Sequence, residues 1–231
     1  MPTGGRLIAL LLAEFAGLMV VLGALLFGAA GTFDWPSAWA YLAVFLVTGL
    51  TVSLWLARAD PGLLAERMKP PVQAGQATWD RVFLMVVMVV YVGWHVLMGL
   101  DARRFGWSQV PVALQVLGAA LFVASYAGIA WVFRTNSFAA PVIRVQDERG
   151  QKVIDTGPYA VVRHPMYAFA ALQFIGGPLI LGSWWGLAVA PLFYAGVGWR
   201  AVREEGVLRE QLEGYDDYAR RVRWRLAPGV W

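Results

Sequence analysis

Apolar runs long enough to cross a lipid bilayer restrict the fold of this chain more than any other feature. The first run covers residues 7–30, and later runs cover 37–57, 82–100 and 111–133. The hydrocarbon core of a bilayer is about 30 Å thick and an α-helix rises about 1.5 Å per residue, so about 20 apolar residues span it. The first run also exceeds the apolar segment of a cleaved signal peptide, which has about 7–15 residues. We therefore predict an integral membrane protein.

Composition supports this prediction and excludes several kinds of site. Hydrophobic residues make up 59% of the chain and charged residues 15%, whereas about a quarter of the residues in a soluble domain are charged. Cysteine is absent and there are only two histidines, so we expect no disulfide, thiolate metal site or histidine-rich metal centre. We expect no nucleic-acid partner. The strong preference for arginine over lysine is consistent with a bacterial source, and hence with the inner membrane.

The last apolar stretch, residues 166–199, is too long for one ordinary span. Gly176-Gly177-Pro178 and Gly182-Ser183 interrupt it, which predicts a hairpin of two short helices bending near residues 181–185. A single long kinked helix is the alternative. The fold predicted is an all-α membrane bundle of about five to six transmembrane helices, with a C-terminal hairpin and an amphipathic tail helix.

The distribution of basic residues predicts the topology. With six crossings and a cytosolic N-terminus, 17 of the 19 basic residues lie on the cytosolic side. With five crossings they divide almost evenly, which the positive-inside rule disfavours. We therefore expect both termini and the 134–163 segment on the cytosolic face. Residues 1–231 are predicted to form one membrane domain, with four helices in 1–133 and the catalytic, cofactor-binding region in 134–231.

Several smaller features lead to local predictions. The 58–81 segment, which is rich in proline, is expected to be an irregular connection at the membrane surface. Residues 204–222 predict one amphipathic helix, because apolar side chains recur every three or four residues. His95 is expected to form a hydrogen bond between helices. For Glu14, a structural and a functional role stay open, and Asp101 is given no chemistry.

The polar segment 146–167 is the first candidate site. Pro165 suits the first turn of a helix, whose free N–H groups, beside Arg163, would attract a carboxylate or phosphate. Gly157-Pro158 predicts a tight turn that a ligand can approach. A juxtamembrane turn whose arginine reaches lipid headgroups would explain the same residues, and considered alone it is the favoured interpretation.

The second candidate is the group of charges that follows the last apolar stretch. Arg200 and Glu204 share a helix face because they are four residues apart, and Glu205 lies next to them. Such glutamates could bind hydroxyl and amino groups of a cofactor. A solvated helix with arginines at the headgroups is again the favoured alternative when this group is considered alone.

The combination of motifs changes both interpretations. The chain contains GQKVIDTGPYAVVRHPMY at 150–167, LGS at 181–183, REE at 203–205 and YDDYARRVRWRL at 215–226. Together these segments resemble the C-terminal catalytic region of the isoprenylcysteine carboxyl methyltransferase family, which is related to the membrane phospholipid N-methyltransferases. The resemblance covers residues 146–231. In one departure, Phe169 stands where family members often have glycine, which affects the expected shape of the cofactor or lipid channel.

The resemblance implies that S-adenosylmethionine binds between the 146–167 segment and the glutamates. The cofactor-binding residues that it implies are Gln146, Gln151, Lys152, Val153, Ile154, Tyr159, His164, Pro165, Met166, Tyr167 and Glu204. It also implies that Arg200 orients an anionic acceptor. If the acceptor is an amine, Glu205 is the predicted general base.

The function predicted is carboxyl O-methylation of a lipophilic small molecule or lipid within the membrane. Phospholipid N-methylation of phosphatidylethanolamine is an alternative with the same cofactor. A sterol-reductase-like oxidoreductase that uses NADPH is an alternative of another class, since those enzymes have a broadly similar C-terminal helical layout. The identity of the acceptor does not follow from the sequence.

Overall fold

The structure is a computed structural model that describes residues 4–70, 73 and 76–231. Regular secondary structure in these ranges is helical throughout, which confirms the predicted all-α membrane bundle. The α-helices are α1 (Gly4–Ala30), α2 (Pro36–Ala59), α3 (Pro61–Arg67), α4 (Thr78–Gly99), α5 (Val112–Thr135), α6 (Pro165–Leu181), α7 (Trp184–Gln211) and α8 (Tyr215–Arg221). A π-helical turn at Leu100–Arg104 extends α4, and short 3-10 turns lie at Asp147–Arg149 and Gly157–Ala160.

Four of the described helices are long and apolar enough to cross a membrane, namely α1, α2, α4 with its extension, and α5. Helix α6 is apolar but shorter. It forms the predicted hairpin with the first half of α7, so the alternative of one kinked helix does not hold. The hairpin bends at Gly182, whose φ of 82° is readily adopted only by glycine, and Ser183 caps α7 by accepting a hydrogen bond from the Gly186 N–H. Pro178, by contrast, lies inside α6.

Small residues hold α5 and α6 at very close range. A Cβ atom added to Gly118 would lie 2.7 Å from the Leu179 Cβ and 2.8 Å from the Gly176 carbonyl oxygen. A Cβ atom added to Gly176 would lie 2.7 Å from the Gly118 carbonyl oxygen. Close backbone approach of this kind is how helices associate in lipid, where burial of apolar surface offers little gain.

The loop that follows α5 and the C-terminal tail lie at the same end of the bundle, as the charge distribution predicted. The backbone N–H groups of Arg163 and His164 donate to the carbonyl oxygens of Trp224 and Arg225, each at 2.9 Å. Leu7 of α1 belongs to an apolar cluster with residues of α3 and the end of α5, so the beginning of α1 lies at this end too. We call it the site end.

Two local predictions were wrong. The 58–81 segment contains helix α3, because Pro61 fits its first turn and the Asp60 Oδ1 atom accepts a hydrogen bond from the Leu63 N–H at 2.9 Å. The tail forms two helices rather than one, because the chain turns at Gly214 with a φ of 80°. Its apolar face packs against the protein, with Tyr218 against Val153 and Tyr159.

Candidate active site

A pocket at the site end is enclosed by the α5–α6 loop, the beginning of α6, the polar part of α7 and helix α8. Its volume is about 100 Å³, which is below the range of about 300–1,000 Å³ that is usual for small-molecule sites. A nucleoside-sized ligand needs a larger volume than the pocket has in this structure.

Ten of the eleven residues predicted to bind the cofactor line this pocket. They are Gln151, Lys152, Val153, Ile154, Tyr159, His164, Pro165, Met166, Tyr167 and Glu204. Gln146 lies outside it and holds the loop in shape instead. Its side-chain Nε2 donates to the Phe138 carbonyl oxygen at 2.9 Å, and its backbone N–H donates to the Gln151 Oε1 atom at 2.8 Å.

Glu205 is placed in a buried cluster beside the pocket rather than in its lining. Its Oε1 atom lies 2.7 Å from the Arg163 Nε, 3.2 Å from the His164 Nε2 and 3.1 Å from the Arg225 Nε. Burial alone would raise the pKa of Glu205, but the hydrogen bonds from His164 and Arg163 outweigh it and lower the pKa from 4.5 to about 2. Such a carboxylate is a poor general base at neutral pH.

The same cluster fixes the tail over the pocket. The Arg163 Nη1 atom donates to the carbonyl oxygens of Val222 and Arg223, at 2.7 and 2.8 Å. From the sequence, Arg163 was expected to supply positive charge to a ligand. Because Glu205 already neutralises that charge, the structure gives Arg163 a role in holding the tail.

Arg200 is also engaged with the protein itself. Its Nε donates to Asp80 at 3.0 Å and its Nη2 to the Pro141 carbonyl oxygen at 2.7 Å. Its Nη1 donates to the Tyr167 hydroxyl at 2.9 Å. Arg200 is 7% exposed and does not line the pocket. A guanidinium bonded in this way on all three nitrogens has little capacity left to bind an acceptor.

Asp80 is a residue of the site end that sequence reasoning missed. It is fully buried, and besides the Arg200 Nε it accepts a hydrogen bond from the Gln76 Nε2 at 2.9 Å. A carboxylate at the beginning of an apolar run needs a cationic partner, because burying it alone is costly. That requirement, and the cytosolic position predicted for both residues, could have suggested the pair with Arg200.

Glu204 is the pocket carboxylate, and a chain of hydrogen bonds orients it. The Tyr167 hydroxyl donates to the Glu204 Oε2 atom at 2.7 Å and accepts from Arg200, which in turn is held by Asp80. The His164 Nδ1 atom lies 3.7 Å from the same Oε2. The Glu204 side chain is 25% exposed, so it can still reach a ligand.

Polar groups without partners also mark this pocket. The Tyr215 hydroxyl is buried and has no hydrogen-bond partner among the described residues. The N–H groups of Met166 and Tyr167, in the first turn of α6, likewise have none in the described ranges. A buried hydroxyl is almost always paired in folded proteins and free N–H groups at the beginning of a helix attract anions, so these groups fit a ligand that carries oxyanions and hydroxyls. The residues present therefore suit the carboxylate, ribose and adenine groups of S-adenosylmethionine.

The departure at Phe169 is compensated on the neighbouring helix. The Phe169 ring packs directly over Gly128 of α5, where an added Cβ atom would collide with the ring. The bulk that replaces the usual glycine is thus accommodated by a glycine on the facing helix. Phe169 does not line the pocket.

The chain was also compared with known proteins. None of the curated proteins compared with the chain matches it. Residues 113–213, from α5 to the end of α7, match the family model described as phospholipid methyltransferase. The matched segment is slightly less than half of the chain, and it contains α5, the loop, the helical hairpin and Glu204. In this segment the chain is similar to membrane methyltransferases.

Proposed function

We propose that this chain is an integral membrane methyltransferase that uses S-adenosylmethionine to methylate a lipophilic acceptor. The observation that carries the proposal is the pocket, which brings together side chains from the loop, α6 and α7 that are far apart in sequence. The match of residues 113–213 to a methyltransferase family supports it independently.

The pocket residues divide into three chemical groups. The carboxylate of Glu204 suits hydroxyl or amino groups, and the N–H groups at the beginning of α6 suit a carboxylate. The rings of Tyr159 and Tyr218 with the side chain of Val153 offer apolar surface for a flat ring. When bound, S-adenosylmethionine supplies an electrophilic methyl group on a sulfonium. The protein then has to hold acceptor and methyl group in line, which can contribute several kcal/mol.

Carboxyl O-methylation is the first candidate reaction, on the basis of the motif resemblance. A bond forms between the carboxylate oxygen and the methyl carbon while the carbon–sulfur bond breaks, leaving a neutral thioether. No proton moves, so no general base is required. An acceptor of this kind needs only a cation that orients it.

Phospholipid N-methylation is the second candidate, favoured by the family match. The acceptor ammonium must lose a proton before its nitrogen attacks the methyl carbon. Glu204 replaces Glu205 as the candidate base, because it lines the pocket whereas Glu205 is held by two arginines and His164.

Cofactor binding tests the proposal directly. Titration calorimetry of the purified protein should show binding of S-adenosylhomocysteine and none of NADPH. Glu204→Gln and His164→Ala should weaken binding about tenfold to a hundredfold, the value of a hydrogen bond to a charged group. Glu210→Gln, an exposed change on the same helix, is the control. Binding of NADPH, or parental affinity in both variants, would reject the proposal.

The two reactions give products of different stability. With a radiolabelled methyl group and membrane lipid extract, a carboxyl product is a methyl ester, which base hydrolyses to volatile methanol. An N-methylated phospholipid keeps its label under the same treatment. Volatile label therefore identifies O-methylation, and label retained in the lipid headgroup identifies N-methylation.

We also propose that the site end faces the cytosol, as the basic residues indicate. The chain has no cysteine, so single cysteines can be introduced cleanly. A Val145→Cys variant and a cysteine added at the C-terminus should both react only with a reagent that enters the cytosol. Reaction from the outside at either position would overturn this topology.

A further inference from the structure

A second cavity, of about 320 Å³, lies at the site end among α1, α2, α3 and α5. Most of its lining is apolar, and it reaches the outer face of the bundle, where Leu18 is 37% exposed. Arg67, at the end of α3, supplies a positive charge to it. This combination of an apolar chamber, an opening toward lipid and one cation suits a lipid with an anionic headgroup.

Arg67, which is half-buried, differs from the two buried arginines at this end. Arg163 and Arg200 pair with Glu205 and Asp80 at 2.7 and 3.0 Å. Arg67 forms no ion pair with any described carboxylate, and the masked positions contain no acidic residue. Burial lowers the pKa of Arg67 from 12.5 to about 10, so it is still cationic at neutral pH. A half-buried charge without a partner is partly desolvated, and a bound anion would offset that cost.

The guanidinium of Arg67 has donors to spare. Its Nη1 donates to the Ala139 carbonyl oxygen at 2.8 Å, and its carbon atom Cζ lies 4.5 Å from the centroid of the Phe133 ring. The Nε and Nη2 atoms have no partner among the described residues. Because a guanidinium carries five N–H donors in a fork that matches an oxyanion, these two nitrogens can bind one.

The position of Arg67 connects the two cavities. Its Nη1 lies 3.7 Å from the Met166 Sδ, and both Ala139 and Met166 line the candidate cofactor pocket. On the other side, Arg67 lines the second cavity with Met68 and Phe133. An oxyanion held by Arg67 would thus lie next to the cofactor pocket, with its lipid tail in the apolar chamber.

Glu14 lines the same cavity from α1 and forms no ion pair with Arg67.

We propose that this cavity binds the lipophilic acceptor and that Arg67, not Arg200, anchors its oxyanion, a lipid phosphate. The assignment of the lipid as methyl acceptor rests on the proposed methyltransferase function. Arg67 is then a substrate-binding residue, and the apolar lining accepts an acyl or prenyl chain.

Three probes separate the contributions of headgroup and tail. Dioctanoyl phosphatidic acid has both, dioctanoylglycerol lacks the phosphate, and inorganic phosphate lacks the tails. The parent protein in neutral detergent should bind phosphatidic acid more tightly than either of the others. Arg67→Gln should weaken binding of phosphatidic acid about tenfold to a hundredfold and leave that of dioctanoylglycerol unchanged. Arg58→Gln, an exposed arginine at the end of α2, should bind as the parent does.

Parental affinity of Arg67→Gln for phosphatidic acid would overturn the proposal, and so would inorganic phosphate binding as tightly as phosphatidic acid. Should Arg67→Gln fail to fold, Ser53→Phe fills the chamber from α2. It should weaken binding of both lipids and retain that of S-adenosylhomocysteine, and unchanged lipid binding would again overturn the proposal. A parent that binds phosphatidic acid through Arg67 but no S-adenosylhomocysteine would reject only the methyltransferase function.

Discussion

The two ends of the bundle both bury a carboxylate, and they satisfy it in different ways. At the far end, Asp101 is fully buried and accepts hydrogen bonds from the hydroxyls of Ser108 and Ser183, at 2.7 and 2.6 Å. At the site end, Glu205 is held by the side chains of Arg163 and His164 together with Arg225. At the far end, neutral hydroxyl groups hold the bend of the hairpin to Asp101. At the site end, arginine side chains hold the loop and the tail to Glu205.

The two ends also differ in whether their polar groups have hydrogen-bond or ion-pair partners. Hydrogen bonds from the two serines and from the Trp185 N–H satisfy the Asp101 carboxylate. This cluster lines neither of the two cavities described above. The site end leaves the Tyr215 hydroxyl without a partner and Arg67 without a carboxylate. A polar cluster whose members are all hydrogen-bonded has a structural role, whereas polar groups without partners indicate a place where a ligand can bind.

The largest expected effect is that of Glu205→Gln. Removing one partner of a buried ion pair costs about 3–5 kcal/mol, because the remaining charge stays buried. Here three cationic or titratable side chains would lose their shared acceptor. Thermal unfolding in detergent should show a large drop in Tm, and the variant should also bind S-adenosylhomocysteine poorly because the tail is released. A Tm equal to that of the parent would contradict the role given to this cluster.

Lowering the pH should gradually reduce the contribution of the Glu205 cluster to the free energy of unfolding. The pKa of Glu205 is lowered from 4.5 to about 2 in the folded state, so its contribution to the free energy of unfolding is complete above about pH 4.5. That contribution is lost as the pH falls toward 2. Glu205→Gln should therefore show a weaker dependence of Tm on pH between 4.5 and 2 than the parent, and parallel curves would rule out this origin.

Arg200→Lys should have the next largest effect. A lysine ammonium cannot reproduce the three directions in which Arg200 bonds Asp80, Tyr167 and Pro141. We expect a stability loss of about 1.5–3 kcal/mol. Affinity for S-adenosylhomocysteine should fall in parallel, because Glu204 loses its orientation. If turnover falls while stability and cofactor affinity stay at parental values, Arg200 binds the acceptor after all.

Asp101→Asn tests the far end alone. The amide keeps one acceptor oxygen and loses the charge that strengthens the serine hydrogen bonds, so we expect a loss of about 1–3 kcal/mol. Affinity for S-adenosylhomocysteine should not change, because the substitution lies at the opposite end from the pocket. Titration calorimetry on the folded variant measures this, and a weakened affinity would show that the two ends are coupled.

Tyr215→Phe should have the smallest effect on stability, and it separates a role in ligand binding from a structural role most clearly. Removing a buried hydroxyl that has no partner should leave the free protein as stable as before or more stable by about 1 kcal/mol. The same variant should bind S-adenosylhomocysteine less tightly if the hydroxyl contacts the ligand. Higher Tm with lower affinity separates a ligand-directed group from a structural one. Lower Tm with unchanged affinity would show that Tyr215 serves packing only.

The sequence by itself determined the membrane class, the bend of the hairpin and part of the pocket. Apolar length identified the four helices long enough to cross a bilayer, because a bilayer has a set thickness, and the Gly182-Ser183 interruption located the bend that the structure has at Gly182. The resemblance of segment 150–167 named nine residues that line the pocket, and these are close together in sequence.

Only the tertiary structure decided which charged side chains line the pocket and which form ion pairs within the protein. Glu204 and Glu205 are adjacent in sequence, yet one lines the pocket and the other is buried among arginines. Arg67 replaces Arg200 as the residue that we propose for the acceptor, because Asp80 pairs with Arg200 and no described carboxylate pairs with Arg67. Charge pairing depends on partners up to 120 positions away along the chain, and local sequence patterns carry no record of such distances.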